Sequence, residues 1–540
     1  MGQISDNIPL LYLGILAAVY LKPEYAIYDS RVITVLLFFT IINVSRAIYQ
    51  LILYPSYFTP LRDIQTPPGR TLLRGNTDSW FLDTPHARMK EWVKALPNEG
   101  LIRYYTVGNF ERLTVTSAKA LSELLVTKSY EFVKPALTRR ALGRAVGYGM
   151  LTAEGDDHRW QRKSLMPAFA YRHIKDLYPI FWSKSIEMVR LMRKDLAATT
   201  DGVLTVKDYA SRATLDIIGV AGMGHDFDSL QNPDNPLNAA YQRIFQDRGL
   251  LTKLTFMATV FFGDNILLRN LPTSRAKAVD ESGAYIRNVA RQMIEGAKAK
   301  LADPNADHGV DIISVAIQSG TFDEDNLVEQ VMTFLAAGHE TTSTALQWSI
   351  YALSKNQDVQ ARLREEVRAN LPSILIDNPQ AIDATTIDNL PYLHAVCNEV
   401  LRFHPSVPMT VREAATDTTL VGKHIPKGTR FVISPELVNH MTEFWGPDAN
   451  EFNPDRWMGP GKANTGGATN NYAFLSFIHG PRSCIGQGFS KSELACLVAA
   501  VVGSFAFELQ DPNAKLEVRE GATAAPRDGV VVKATALEGW

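Results

Sequence analysis

At 540 residues, with 46% hydrophobic and 21% charged residues, the chain can build a large core and is not a low-complexity or disordered protein. A formal net charge of −2 gives no electrostatic reason to expect nucleic acid as a partner. Three cysteines, Cys397, Cys484 and Cys496, cannot all pair, and their rarity suits a reducing, cytosolic environment rather than a disulfide scaffold.

Two apolar runs come first in the chain. Ile8–Leu21 (IPLLYLGILAAVYL) and Val32–Val44 (VITVLLFFTIINV) each fall short of the roughly 20 residues that span a bilayer as helix. The second can continue through Ser45 and Arg46 into AIYQLILY and reach Tyr54, with Arg46 snorkelling or set against protein. A cleaved signal peptide is the rival reading of the first run, weakened because Met1–Asn7 holds no lysine or arginine. Gly2 invites a myristoylation reading, but Asp6 stands where that pattern wants Ser or Thr. Arg46, Arg62, Arg70 and Arg74 predict that the globular part of the chain lies on the cytoplasmic side. Asn43-Val-Ser45 is a glycosylation sequon, expected to stay idle inside the apolar run. The expected organisation is a membrane anchor over 1–54, in one pass or two, a proline-rich hinge over 55–69, and a globular domain over 70–540.

Within the globular part, Leu101–Val107 and Arg112–Ser117 alternate around Gly108-Asn109, a hairpin signal, and Ala118–Ser129 reads as a helix. Helical periodicity dominates from Asp157 to about Leu371. It is broken by a loop-like Asp226–Pro236 and an aromatic-apolar patch at Leu250–Leu268. Strands are predicted near Met409–Leu420, Thr429–Ile433 and Val530–Ala534, and a helix over Ser490–Phe507. The fold class is mainly α with a minor β portion.

The stretch Phe474–Glu493, FLSFIHGPRSCIGQGFSKSE, sets Cys484 between Gly480 and Gly486 and two residues after Arg482. A buried free cysteine is ordinarily a small hydrophobe. These neighbours point elsewhere. Glycines permit close backbone approach, the guanidinium can stabilise a thiolate or pair with an anion, and the amides of a following helix would face what the sulfur holds.

Four further patterns accompany it. Gln330–Leu346 (QVMTFLAAGHETTSTAL) lies in a long helix predicted to begin near Asp325. Ala337-Gly338 would leave a groove there, and Glu340 stands beside Thr341, whose hydroxyl can bond a preceding carbonyl and loosen the ladder. Glu399 and Arg402 form an i,i+3 pair in a helix over Tyr392–Phe403, and Arg456, in FNPDRW, can join them in a buried network. His158 and Arg162 share a helix face within DDHRWQRKSLMPAF, with Arg159 and Lys163 beside them. Taken singly, each of these is ordinary structure or a solvated face.

Together, and in this order, they match a known pattern. Phe477-x-x-Gly480-x-Arg482-x-Cys484-x-Gly486 resembles the haem-binding signature of the cytochrome P-450 superfamily of haem-thiolate monooxygenases. Ala337–Thr342 resembles its oxygen-activation motif, Glu399/Arg402 its helix-K pair, and Phe452–Trp457 its Pro/Arg loop. The resemblance spans roughly residues 65–540, and the anchor and hinge resemble microsomal, filamentous-fungal members. One departure is His158, where many relatives carry Trp.

The resemblance implies the cytochrome P-450 fold, a helical haem domain with small sheets behind an N-terminal anchor in the endoplasmic reticulum membrane. The cofactor would be haem b (iron protoporphyrin IX), with Cys484 as axial ligand to iron and Phe477 shielding the sulfur. Arg482, Arg162, His158 and Arg412 would pair with the propionates. Glu340 and Thr341 would organise water and deliver protons on the distal side. Electrons would come from NADPH through an NADPH-cytochrome reductase, with a cytochrome b-type donor as a further source. Arg159, Lys163 and Lys491 would offer that reductase a basic face.

Apolar segments at Phe132–Met150, Leu250–Phe262, Phe334–Ala337, Val407–Thr410 and Ala522–Pro526 would line a site for a lipophilic small molecule. The fungal likeness suggests tailoring of a terpenoid, polyketide or alkaloid. Fatty-acid or xenobiotic hydroxylation is the alternative. A haem-thiolate isomerase or dehydratase, or a non-catalytic haem protein, stands further off.

Overall fold

The computed structural model describes residues 8–22, 24, 26–77, 86–245, 254–255, 273–305, 311–374, 382–513 and 516–540. The chain divides into two units: residues 1–135 with 410–433, and residues 136–409 with 434–540.

The first unit begins with helix Ile8–Leu21 and helix Arg31–Ile48, which continues as a wider, π-type turn over Tyr49–Phe58. Ser30 caps the second helix by accepting from the Ile33 amide. By length and composition, Arg31–Phe58 (28 residues) is the one helix among those described that could cross a membrane. It runs through Arg46 and past Pro55, so the boundary expected at residue 54 falls inside it. The two helices are in contact. Asn43 of the sequon donates to the Tyr12 hydroxyl at 2.8 Å, and the Tyr12 and Phe39 rings lie 5.2 Å apart.

The predicted hairpin forms over Leu101–Thr106 and Phe110–Val115, turning through Gly108 (φ 75°) and Asn109 (φ 59°), residues that tolerate the left-handed region. Phe110–Val115 then pairs in parallel with Arg430–Ile433, which continues antiparallel to Thr410–Ala414 and on to Phe132–Val133. The result is a five-stranded mixed sheet. Thr418–Leu420 and Lys423–Ile425 make a separate small hairpin. The helix expected over Ala118–Ser129 is shorter, Ala118–Ser122 followed by a π-type turn to Thr127.

The second unit is helical around two core elements. Glu324–Lys355 runs 32 residues with Asp323 as its cap. The second half of Gln487–Ser504 is apolar on every side because it is surrounded: Leu494–Ala500 have no exposed surface. Helices Tyr178–Ala198, Gln357–Asn370 and Pro391–Phe403 pack against it. The helix predicted to reach Phe507 stops at Ser504. Gly503 presses on the Trp540 ring, and Phe505–Leu509 alternates as the edge of a three-stranded sheet with Val531–Ala536 and Val203–Thr205. Apolar periodicity cannot separate the end of a buried helix from a short buried strand. Val518–Glu520 and Ala524–Pro526 form a two-stranded hairpin. The patch at Leu250–Leu268 lies almost wholly outside the described residues.

Candidate functional site

Cys484 sits in a tight loop before the helix Gln487–Ser504. Ile478 (φ 57°) and Gly480 (φ 77°) take left-handed backbone, a single turn Gly480–Arg482 follows, and the Cys484 amide donates to the Phe477 carbonyl at 2.9 Å. Phe477 is half-buried beside it. Cys484 is exposed by surface area, whereas Cys397 and Cys496 are buried. Yet surrounding protein pushes the Cys484 thiol up, against the opposing pull of the Gly486 amide hydrogen bond and the Arg162 charge. The two facts agree when the exposed surface faces an interior space rather than bulk water.

Helix Gly155–Leu165 braces this loop. Arg162 donates to the Ser483 carbonyl at 2.6 Å and to its hydroxyl at 3.2 Å. Arg482 is ion-paired with Glu154, the residue that precedes that helix. His158, one turn before Arg162, is buried. Glu154 and Ser483 were not legible as site residues, since their partners are 328 and 321 positions away. Arg412 belongs to the first unit, where Nη1 donates to the Val411 carbonyl at 2.9 Å and the Thr410 hydroxyl at 3.1 Å.

On helix Glu324–Lys355 the run Leu327–Ala336 is nearly all buried, then opens at Ala337, which is exposed mid-helix. Thr341 Oγ1 donates to the Ala337 carbonyl at 2.8 Å, sharing the acceptor of its own helical turn. The flank of Gly338 is not an open groove. A Cβ there would stand 2.7 Å from Ile218, so the glycine serves a close approach between helices. Glu340 Oε1 accepts from Arg519 Nη2 and from the Thr523 hydroxyl, both at 2.9 Å.

Glu399 is the hub of a fully buried network. It accepts from Arg402 Nε (2.8 Å) and Nη2 (2.7 Å), Arg456 Nε (3.1 Å), Trp457 Nε1 (2.9 Å) and the Asn453 amide (2.8 Å).

The basic face is smaller than expected. Arg159 and Lys163 are exposed, and Arg159 pairs with Asp156. Lys491 instead lies over the Phe474 and Phe477 rings, 5.2 and 5.9 Å from their centroids, and burial pulls its pKa down to about 8.

A second acid, Glu493, points into the core from the same helix as Lys491. Neither carboxyl oxygen has a hydrogen-bond partner among the described residues, and burial pushes its pKa well up. Thr342 offsets this slightly, although its hydroxyl lies within hydrogen-bond reach of Ser490 instead (3.1 Å). An acid whose folded pKa is raised stabilises fully below its unfolded pKa and loses that contribution as pH rises toward the folded value. Relative to Glu493→Gln, the wild type should therefore weaken as pH rises above the ordinary carboxyl range, by up to about 1.4 kcal/mol per pH unit. Unfolding temperatures of both proteins from acid to mildly alkaline pH check this; a constant gap would mean that Glu493 does not titrate in this way.

The donor set suits a haem. An exposed thiol has an amide directed at its sulfur, two guanidinium groups brace the same loop, and a long helix in the same unit exposes Ala337 beside half-buried Glu340 and Thr341.

Comparison with known proteins agrees. The family model for cytochrome P450 matches residues 80–533. The chain is 61% identical over 543 residues to the cytochrome P450 monooxygenase sphH of Aspergillus fumigatus, with 100% of both chains covered. It is 38% identical to the cytochrome P450 monooxygenases FSL4 of Gibberella zeae and FUM15 of Gibberella moniliformis, with 91% of each chain covered. A thiol loop, an opened core helix and a buried Glu–Arg hub thus meet a match along nearly the whole chain: it belongs to the cytochrome P450 family and is a haem-thiolate monooxygenase.

Proposed function

We propose that this monooxygenase inserts one oxygen atom from O2 into a lipophilic secondary metabolite of the terpenoid, polyketide or alkaloid class. Electrons come from NADPH through a membrane-bound NADPH-cytochrome reductase. Arg31–Phe58 anchors the chain in the endoplasmic reticulum membrane, with the catalytic domain in the cytosol. The observation that carries this reading is the exposed Ala337, with half-buried Glu340 and Thr341 beside it, in the middle of a largely buried helix in the same unit as an accessible thiol. An electron carrier has no use for such an opening.

Haem, when bound, supplies the chemistry of oxygen activation, and thiolate ligation favours O–O cleavage. The chain's own residues do the rest. Cys484 Sγ would hold the haem iron, Phe477 would screen the sulfur from water, and the Gly486 amide would moderate its charge. Gly480 supplies the left-handed turn that would let the loop approach a porphyrin closely. Arg482, Arg162 and His158 would serve the propionates, and Arg482, now paired with Glu154, has a guanidinium suited to such a carboxylate. Glu399, Arg402 and Arg456 hold the scaffold beneath.

Glu340 orients water with its carboxylate, and Thr341 Oγ1 passes the proton on by releasing the Ala337 carbonyl. The apolar lining at Phe334–Ala337 and Ala522–Pro526 favours a substrate with few charges.

The test is incubation of the full-length protein with reductase, NADPH and a panel of extracted fungal metabolites, following O2, peroxide and oxygenated product. Thr341→Ala should keep the thiolate spectrum and most substrate affinity while diverting most reducing equivalents into peroxide. Wild-type coupling in Thr341→Ala would remove Thr341 from the relay. No oxygenated product from any lipophilic class would overturn the substrate assignment.

A further inference from the structure

The acid on the distal helix is held from far along the chain. Glu340 and Arg519 are 179 residues apart, yet Arg519 Nη2 lies 2.9 Å from Oε1, with side chains only 14% and 15% exposed. The Thr523 hydroxyl donates to the same oxygen at 2.9 Å, and Thr523 is itself buried. Among the described residues these are the two donors to that carboxylate, and both reach Oε1 rather than Oε2.

The two donors share one hairpin. Val518–Glu520 pairs with Ala524–Pro526, with Arg519 opposite Ala525. Ala524 fastens that hairpin twice: its carbonyl accepts from Trp348 Nε1 at 2.8 Å, and its amide donates to the Ser406 carbonyl at 2.9 Å. Ser406 Oγ in turn donates to the Thr341 carbonyl at 2.9 Å. The hairpin is therefore tied to the helix two turns beyond Glu340 and, through Ser406, at Thr341. A side chain as long as arginine loses considerable freedom when held this way. A surface ion pair of this kind would contribute little; this one is shielded, doubly donated and mounted on a fastened support.

We propose that Arg519 is a positioning residue for Glu340. Together with Thr523 it clamps Oε1, so that Oε2 alone is presented to water beside the Thr341 hydroxyl. The clamp also makes the hairpin, which carries the Ala522–Pro526 wall of the proposed substrate site, one body with the acid. This rests on the reading of Glu340 as the residue that orients water.

The experiment uses haem-loaded full-length protein with reductase, NADPH and O2 and no organic substrate. Oxygen then leaves either as peroxide (O2 + NADPH + H+ → H2O2 + NADP+) or as water (O2 + 2 NADPH + 2 H+ → 2 H2O + 2 NADP+). The ratio of NADPH to O2 consumed reads how well protons reach the oxygen. Arg519→Met should lower that ratio toward one and change the solvent deuterium isotope effect. Arg519→Lys should restore most of it, and Thr523→Val should shift it less in the same direction. In a Glu340→Gln background, Arg519→Met should add nothing.

A second readout does not depend on turnover. Amide hydrogen exchange over residues 518–526 should rise several-fold in both Arg519→Met and Glu340→Gln, while Gln487–Ser504 stays protected. Glu340→Gln shifting the ratio while Arg519→Met leaves it, or effects that add in the double variant, would overturn the proposal and leave the Glu340 reading intact. Unchanged exchange in both single variants would overturn the clamp. A wild-type ratio and isotope effect in Glu340→Gln would remove the Glu340 reading itself, and this inference with it.

Discussion

Cys484→Ala is expected to abolish the red-shifted Soret band that a reduced thiolate-ligated haem shows with carbon monoxide, whereas Cys397→Ala and Cys496→Ala should keep it. The three thiols differ in what they face. Cys397 and Cys496 are buried in packed protein, which pushes Cys397 up to about 12 and Cys496 well above its ordinary value. A thiol held that far toward its neutral form, with no opening beside it, is a small hydrophobe. Burial pushes the Cys484 thiol up as well, but Cys484 is the exposed one of the three, and an amide hydrogen bond and the Arg162 charge oppose that rise. The expected loss is essentially the whole band. Haem content and band position, measured on all three purified variants, check it. A wild-type spectrum from Cys484→Ala would end the assignment of this residue as ligand.

The second large effect concerns the scaffold. Glu399→Ala is expected to destabilise the folded protein by about 3–5 kcal/mol, the range for breaking a buried ion pair by removing one partner. Five donors converge on this carboxylate, including the guanidinium groups of Arg402 (0% exposed) and Arg456 (5% exposed). Without it, two cations remain in the interior. Arg456 keeps Asp448, at 2.9 Å. Among the described residues, Arg402 keeps no carboxylate, only the backbone carbonyls of Asn439, Ala449 and Glu451 and the faces of the Phe403 and Trp445 rings. Arg402 should therefore carry most of the penalty, and Arg402→Met in the Glu399→Ala background should recover part of it. Yield of haem-loaded protein and its unfolding temperature are the measurements. A Glu399→Ala protein that loads haem and unfolds within a few degrees of wild type would contradict this account of the hub.

Part of this protein was legible without any structure, for local physical reasons. A left-handed turn at Gly480, a cation two residues before Cys484 and a helix starting soon after are all encoded within a few positions. So are the i,i+3 geometry of Glu399 and Arg402 and the alternation of the first hairpin. Length and hydropathy marked the apolar run that forms helix Arg31–Phe58, although the helix runs through Pro55 instead of ending at residue 54.

What only the tertiary structure decided depends on partners hundreds of positions apart or on which side of an element is covered. Nothing near Glu340 announces Arg519, and nothing near Arg482 announces Glu154, because an ion pair between distant segments leaves no trace in either one. Gly338 suggested open space by its missing side chain, but Ile218 fills it, since packed interiors close small gaps. Lys491 suggested a surface charge, yet its ammonium lies over the aromatic rings of the cysteine loop and burial lowers its pKa. The end of helix Gln487–Ser504 is not legible locally because Phe505 and Phe507 are apolar in either period, and only pairing with Val531–Ala536 makes them a strand.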